Sequence, residues 1–317
     1  MISEIFEKNK SIIINTDIDG FLCGEILRHY FGCKIVGFSN SKKEIWVAPE
    51  VESIYDPVYI DLFVARQDVV CIDQHIIAQD ASHHRLLKNM GTKLNPNIER
   101  NRTFEGDYYH KYPFGTVHYI IALMAREGIN VELPNLSSKV YNNGIDLNTE
   151  LGQVILRADD ALYSTLSAYA DNALDWWKYL DSENKYPTIQ KFVEYIKTCD
   201  RSKAKEYKDS IGRMFKNNLY CDGADGAFTY ITDSNGRLQD RVNNLWNVIC
   251  KSLNFENGNV HPLPQNLILH KGRFVKSIFR PGSNGELFNS SNLFSYAFIY
   301  GPHSKYPNFS YTLDMKD

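Results

Sequence analysis

The stretch S-I-I-I-N-T-D-I-D-G-F at Ser11–Phe21 decides the fold class of this chain. Its three consecutive isoleucines predict a buried β-strand, because β-branched side chains suit the pleated surface of a sheet. From Phe21 to Phe31 the apolar residues then recur at helical spacing. A strand that passes directly into a helix is typical of the βαβ units that build parallel sheets. The segment therefore predicts an α/β fold.

The rest of the first third of the chain continues this alternation. Strands are predicted at Lys34–Phe38, Val58–Phe63 and Asp68–Ile72, and the last two are largely apolar, as central parallel strands usually are. Gly91–Pro96 favours a further strand that ends at an Asn-Pro turn, and Phe114–Arg126 a largely apolar helix packed on the sheet. The pattern predicts a twisted parallel sheet covered by helices.

The remaining sequence divides into a helical stretch and a second unit. The periodicity is helical over 148–216, and the part over 185–216 carries an excess of Lys and Arg. After residue 219 a helix is predicted at Leu238–Leu253, followed by strands at Asn266–Leu269, Arg273–Phe279, Phe294–Tyr300 and Phe309–Leu313. We therefore expect a domain over 1–184, a helical linker over 185–218 and a smaller α/β domain over 219–317.

Composition excludes several classes of protein. With 43% hydrophobic residues in 317, the chain can form a full core, so dominant disorder is excluded. A net charge of −3 excludes a strongly basic coat protein for nucleic acid but permits a local basic groove. Apolar runs such as Tyr119–Ala125 are far shorter than the roughly 20 residues of a membrane span. The first residues do not resemble a secretory signal and the six cysteines are dispersed, so we expect a cytoplasmic protein with no membrane partner.

Two acids follow the first predicted strand. Asp17 and Asp19 lie in the turn before the helix, and ligand sites of parallel sheets lie outside the carboxyl ends of their strands. Carboxylates two residues apart repel one another unless a cation lies between them, which favours a divalent metal. Gly20 would allow the tight turn into the helix. The alternative is that one of the two acids only caps the helix.

Two other predicted strands also carry acids. Asp61 interrupts an apolar run, and burying an unpaired carboxylate costs several kcal/mol, so it must be paired, hydrogen-bonded or metal-bound. The strand that ends at Ile72 is followed by Asp73, Gln74 and His75. Oxygen ligands mixed with imidazole suit manganese and similar cations. Taken separately, each of these features is as compatible with an ordinary loop as with a metal site. The sequential pair His83 and His84 is expected at the surface.

The order of these motifs resembles that of the DHH phosphoesterase superfamily, in particular its branch of RecJ-like nucleases and oligonucleotide phosphodiesterases. Strand, D-x-D-G and helix are followed by a strand with an acid and then by a strand with Asp-x-His. The resemblance continues at Leu94–Asn97, which is similar to the Asn-Pro turn of the family, and at Tyr112–His118, similar to its next helix start. Ile155–Leu162 resembles the fourth motif, in which Asp159 would complete the metal site.

The resemblance implies a metal centre that holds one or two Mn²⁺ or Mg²⁺ ions. Asp17 and Asp61 would bind one cation, with Asp61 shared. The ligands implied for the other cation are Asp19, Asp61, Gln74 and Asp159. His75 would act in catalysis by binding the scissile phosphate rather than the metal.

The C-terminal unit resembles the family's substrate-binding domain. Ser277 and Arg280 are similar to its serine/arginine strand, and His303 ends a loop similar to its glycine-rich loop. The resemblance implies that these three residues bind substrate. Independently of it, the acid-free basic stretch over 271–280, with its phenylalanines, is suited to hold a phosphate backbone and stack bases, and a solvated strand face with aromatic residues in the core is an equal alternative. The implied partners are single-stranded DNA or RNA, short oligonucleotides or a cyclic dinucleotide.

Departures from the family pattern leave other hypotheses open. Asn15 stands where the family has His or Asp, Gln74 replaces the first His of Asp-His-His, and Pro302 removes a backbone donor from the loop. A single-metal enzyme, or a catalytically reduced relative that binds a nucleotide or a protein, is therefore an alternative to the two-metal phosphodiesterase. An inorganic pyrophosphatase is a third.

Overall fold

The computed structural model describes residues 2–41, 43–132, 167–187, 189–191, 194, 209, 212–213, 215–253, 255, 260–278, 285–299 and 308–316. The described strands form two sheets. The larger sheet contains β1 (Ser11–Asn15), β2 (Lys34–Ser39), β3 (Glu44–Val47), β4 (Val58–Ile60), β5 (Cys71–Ile72), β6 (Lys93–Leu94) and β7 (Ile268–Lys271). The smaller sheet contains β8 (Arg273–Ile278), β9 (Leu293–Ile299) and β10 (Asn308–Leu313).

Helices cover both faces of the larger sheet. The α-helices among the described residues include α1 (Ile2–Lys8), α2 (Ile18–Phe31), α3 (Ala81–Met90), α4 (Pro96–Glu99), α5 (Phe104–Asp107), α6 (Thr116–Arg126), α7 (Ser167–Leu180), α8 (Asp240–Leu253) and α9 (Gly285–Phe288). Within this described part, none of the helices is both long enough and apolar enough to cross a bilayer.

The larger sheet is mostly parallel, which confirms the predicted α/β class. Its strand order is β6-β5-β4-β1-β2-β3-β7, and β1 pairs in parallel with both β2 and β4. From β1 the chain passes first to β2 on one side and later to β4 on the other, so a crevice opens where the carboxyl ends of β1 and β4 meet.

Strand β1 is buried on both faces, as its run of isoleucines predicts. Ile12 and Ile14 belong to the hydrophobic core formed with α2, α6 and α8, whereas Ile13 points to the opposite core. Helix α2 ends at Phe31 and is capped by Gly32, which has the left-handed φ of 66° that suits glycine at this position. The first βα unit therefore forms as the sequence indicates.

Several predicted strands differ in extent from those in the structure. β4 ends at Ile60, so Asp61 is the first residue after the strand rather than a residue within it. The strand predicted at 68–72 is reduced to Cys71–Ile72. The strand predicted at 266–269 lies at Ile268–Lys271 and pairs antiparallel with β3, so it extends the larger sheet. The domain boundaries at 184 and 218 stay predictions, and most of the helical stretch over 148–216 lies outside the described residues.

The smaller sheet packs against the hydrophobic core on the face of the larger sheet to which Ile13 points. It is antiparallel, with β10 between β8 and β9. On β9, the Tyr296 hydroxyl donates a hydrogen bond to the carbonyl of Ile77, and its ring lies 4.8 Å from that of Phe63. The surface location expected for His83 and His84 is wrong, because both lie in the first turns of α3 and are buried. Sequence alone does not reveal that His83 packs against Tyr296 of this sheet or that the His84 ring lies 2.9 Å from the carbonyl of Ile98.

Candidate metal centre

The carboxyl ends of three neighbouring strands bring acids to one edge of the larger sheet. Asp17 follows β1 after one residue, Asp61 directly follows β4, and Asp73 directly follows β5. The strands that precede them are adjacent and parallel. One ligand atom each from Asp61, Asp73 and His75 lies within 4.8 Å of the others, a spacing that allows one cation to contact all three.

Asp61 lies at the centre of this cluster. It is 2% exposed, and its carboxylate accepts hydrogen bonds from the Thr116 hydroxyl at 2.7 Å and the side-chain amide of Asn15 at 2.9 Å. Burial, followed by repulsion from Asp17 and other acids, raises the pKa of Asp61 well above its usual range. Its backbone φ of 59° is left-handed, a conformation that costs of order 1–3 kcal/mol for a residue with a side chain. Such strain typically clusters at functional sites.

Asn15 bridges two of the carboxylates through its amide nitrogen. The backbone N–H of Thr16 can only donate a hydrogen bond, so the side-chain atom of Asn15 that lies 2.9 Å from it must be the amide oxygen. The same oxygen accepts a hydrogen bond from the Ser41 hydroxyl. The amide nitrogen must then face Asp17 at 2.7 Å and Asp61 at 2.9 Å. Asn15 therefore supplies the carboxylates with hydrogen bonds but with no charge.

Asp17 combines the two roles considered from sequence. It accepts a hydrogen bond from the backbone N–H of Gly20 at 3.0 Å and so caps α2, while its other oxygen joins the acidic cluster through Asn15. Burial and the nearby charge of Asp19 raise the pKa of Asp17 to about 7, although the hydrogen bond from Gly20 opposes this rise. Capping therefore does not exclude Asp17 from the metal centre.

Asp19 is bound to the start of α6. Its carboxylate accepts hydrogen bonds from the backbone N–H groups of Thr116 at 2.6 Å and Val117 at 2.9 Å, where a helix favours negative charge. Gly115 permits this approach, since a side-chain carbon there would lie 2.7 Å from an Asp19 oxygen. Asp19 thus ties the turn after β1 to the helix that carries Thr116.

Asp73 orients His75. The Nδ1 atom of His75 lies 2.8 Å from Asp73, whose other oxygen accepts the backbone N–H of His75 at 3.1 Å. Desolvation lowers the pKa of His75 and is the largest single influence on it, but the charge of Asp73 and the hydrogen bond to Asp73 together outweigh it and raise the pKa above its usual value. The imidazole is 54% exposed and the Asp73 side chain only 1% exposed. The buried Asp73 side chain therefore orients the ring, and the exposed part of the ring faces a cleft.

Two neighbouring clefts meet at this cluster. The first, of about 450 Å³, is lined by Asp17, Asp19, Asp61, Gln74 and His75 among others. The second, of about 590 Å³, lies against the smaller sheet and includes Phe274, Lys276, Ser277 and Tyr311 in its lining. Residues that line both clefts are Ser41, Asp61, His75 and Lys111. Two of the metal-ligand candidates, Asp61 and His75, thus border both spaces.

The structure brings together most of the described site residues predicted from sequence. Gln74 lies in the first cleft, with its side-chain amide nitrogen 3.3 Å from the His75 ring, and Ser277 lies in the second. Asp159, Arg280 and His303 lie outside the described residues. Sequence reasoning did not name Asp73 as a metal ligand, although the Asp-x-His motif contains it. It also missed Thr116, which no local pattern marks.

The donor set suits a divalent cation. Two carboxylates and an imidazole match manganese, magnesium with water, or a similar ion. Among the described residues, the side chains that donate hydrogen bonds to Asp17 and Asp61 are uncharged, so these hydrogen bonds bring the carboxyl groups no positive charge. Comparisons of the chain with family models, curated proteins and solved structures found no match.

Proposed function

We propose that this chain is a divalent-metal-dependent phosphodiesterase, similar to DHH phosphoesterases, that acts on single-stranded nucleic acid or short oligonucleotides. The observation that carries the proposal is the convergence of Asp61, Asp73 and His75 within 4.8 Å at the carboxyl edge of a parallel sheet. Asp17 extends this cluster through the Asn15 bridge. Four side chains from three separate segments thus form one acidic site.

Asp61, Asp73 and His75 would hold one cation, and Asp17 with Asp61 would provide the carboxylates for a second. Bound Mn²⁺ or Mg²⁺ lowers the pKa of a water and polarises a phosphoryl oxygen, which is the chemistry that phosphodiester hydrolysis needs. Asp61 would be shared between the two positions. This assignment gives His75 a ligand role, whereas the resemblance implied contact with the phosphate.

The surrounding hydrogen bonds would keep these side chains in place. The Thr116 hydroxyl and the Asn15 amide fix the two oxygens of Asp61, and Asp73 fixes the ring of His75. Partners of this kind set the orientation and basicity of metal ligands, and their loss typically costs 10- to 100-fold in metal affinity or activity. We expect the site to be preorganised before a cation binds.

The second cleft offers a place for the organic part of the substrate. Aromatic side chains such as Phe274 and Tyr311 line it, and Lys276 contributes positive charge. Base stacking on aromatic rings is worth about 1–3 kcal/mol per base and tolerates any sequence. These features favour a nucleotide chain over a small inorganic substrate such as pyrophosphate.

A panel of phosphodiesters tests the proposal. Purified protein is incubated with labelled single-stranded DNA, short RNA or cyclic dinucleotides in Mn²⁺, Mg²⁺ or EDTA, and the products are separated. We expect release of nucleotides in Mn²⁺ or Mg²⁺ and none in EDTA. Failure to cleave any of these phosphodiesters with either metal would contradict the proposed activity.

The Asn15 bridge favours a second candidate, a catalytically reduced relative that binds a nucleotide or a protein. The amide already satisfies one oxygen of Asp17 and one of Asp61 without a metal. A protein that relies on this arrangement would bind no Mn²⁺ in calorimetry yet retain affinity for its ligand. Micromolar Mn²⁺ binding that depends on Asp61 would favour the enzyme.

A further inference from the structure

Lys111 lies where the two clefts meet. It lines both of them, together with Ser41, Asp61 and His75. Among the described residues that line the first cleft, it is the only Lys or Arg. Among the described residues, this lysine therefore shares the first cleft with four aspartates and also lines the aromatic cleft.

The backbone around Lys111 is held by two hydrogen bonds. Its carbonyl accepts a hydrogen bond from the side-chain amide of Asn172 at 2.9 Å, and its N–H donates to the carbonyl of Tyr108 at 3.5 Å. Its ammonium group lies 5.3 Å from the centre of the Tyr108 ring, within the range of a cation–π interaction. The charge therefore has a defined place on the wall of the clefts.

A phosphate entering the first cleft approaches several carboxylates, including Asp17, Asp61 and Asp225. Repulsion from these acids opposes its binding, and a lysine where the two clefts meet offsets part of this repulsion by a charge-assisted hydrogen bond. We propose that Lys111 binds the phosphate of the substrate at the boundary of the two clefts, so that the phosphodiester extends from the metal centre into the aromatic cleft. This inference rests on the proposed function and names the residue that grips the anion.

A purely electrostatic role is the main alternative. Lys111 would then only neutralise the acidic cluster, and removing its charge would tighten Mn²⁺ binding without changing affinity for phosphate. A phosphate-binding lysine predicts a different result. Its loss weakens binding of every phosphodiester. It also lowers the slope of log affinity against log salt concentration, by about 0.7 for each phosphate contact on a single strand.

The variants Lys111→Met and Lys111→Arg separate these roles. Methionine keeps a similar length without charge, and arginine keeps the charge. Lys178→Met, which removes an exposed lysine from α7, is the matched control. Each protein is titrated with Mn²⁺ by calorimetry, and then with a fluorescein-labelled phosphorothioate trithymidylate in Mn²⁺ at several salt concentrations, followed by fluorescence anisotropy.

We expect Lys111→Met to keep its affinity for Mn²⁺ and to bind the trithymidylate at least about tenfold more weakly, with a lower salt slope. Lys111→Arg and Lys178→Met should retain the slope of the wild type. Equal trithymidylate binding by wild type and Lys111→Met overturns the inference but leaves the metal centre intact, as does a wild type that binds Mn²⁺ but no trithymidylate. A wild type that binds neither overturns both this inference and the proposed function.

Discussion

The side-chain amide of Asn15 lies 2.9 Å from the carboxylate of Asp61 and joins the end of β1 to the strained residue that follows β4. The same amide donates to Asp17. An amide supplies hydrogen bonds but no positive charge. Burial raises the pKa of both acids, and the charge of Asp19 at Asp17 and of Asp17 at Asp61 raises it further. A divalent cation is the simplest group that would stabilise this arrangement.

Replacing Asp61 by glycine should abolish metal binding and activity without unfolding the protein. Glycine adopts the left-handed φ of 59° at no steric cost, whereas alanine at this position would retain the strain. We expect Mn²⁺ affinity and Mn²⁺-dependent nucleotide release to fall by at least about 100-fold. Calorimetry and the cleavage assay measure the two effects.

Asp314→Gly is the matched control, because Asp314 is another aspartate with a left-handed φ, 55°, and does not line either cleft. It should retain the metal affinity and activity of the wild type. Unchanged activity in Asp61→Gly, verified as folded by its circular dichroism spectrum, would remove Asp61 from the mechanism.

Gln74→His should strengthen the metal centre. Gln74 lines the first cleft beside His75, and an imidazole there would add the ligand that the family pattern has at this position. We expect Mn²⁺ to bind several-fold more tightly, as measured by calorimetry. Gln67→His places a histidine at an exposed residue before β5 and serves as the control. Equal affinity in wild type and Gln74→His would indicate that residue 74 does not contact the cation.

Metal binding should strengthen as the pH rises. The pKa of Asp17 is raised to about 7, so its protonated form is favoured in the folded protein, and the stability this gives the metal-free protein is lost as the pH rises through 7. A cation must displace that proton, and the protons on Asp61 and His75, whose pKa values are also raised, so Mn²⁺ affinity should increase as the pH rises from 6 to 8. Calorimetry at pH 6, 7 and 8 measures this. Asp17→Asn should make the dependence less steep, and a dependence equal to that of the wild type would argue against the role of Asp17.

His83 should make the protein sensitive to acid. Burial lowers its pKa to about 4, while the unfolded chain has a value near 6.5. The unfolded state therefore takes up the proton first, and the free energy of unfolding should fall as the pH drops from 6.5 to 4, by about 3 kcal/mol in total. His83→Asn keeps an acceptor for the N–H of Gln79 and removes this titration. Urea unfolding across this pH range should give a smaller decline for the variant, and identical declines would contradict the assignment.

Gly20→Ala should destabilise the turn that carries Asp17. A side-chain carbon at residue 20 would lie 2.3 Å from the backbone oxygen of Asn15, so the strand end or the helix must shift. We expect a loss of about 1–3 kcal/mol in unfolding free energy together with weaker Mn²⁺ binding. Gly285→Ala, where an added carbon meets nothing within 4 Å, is the control. Equal stability of the two variants would show that the close approach at Gly20 is not required.

The local features of the fold could be predicted from sequence. The isoleucine run of Ser11–Asn15 and the helical repeat that follows it depend on neighbouring residues alone, and both form as expected. β7 is different, because its pairing with β3 joins segments more than 200 residues apart and depends on the tertiary fold. The reduction of the predicted 68–72 strand to Cys71–Ile72 has a similar cause, since only these two residues find partners on both sides.

The acids that follow strands could be predicted from sequence, whereas the hydrogen bonds that determine the role of each acid could not. Asp17 and Asp61 could be named because carboxyl ends of parallel strands converge. That Asp19 would instead bind the start of α6, and that Thr116 would hold Asp61, depends on where α6 packs on the sheet. The direction of the Asn15 amide likewise follows from one backbone N–H, that of Thr16.

Anomalous scattering from a crystal grown in Mn²⁺ shows whether a cation binds at this edge of the sheet. Diffraction data near the manganese absorption edge locate the ion independently of any assumption about its ligands. We expect an anomalous peak within coordination distance of Asp61, Asp73 and His75. A map with no peak at these three side chains, from a protein saturated with Mn²⁺, would contradict the proposed metal centre.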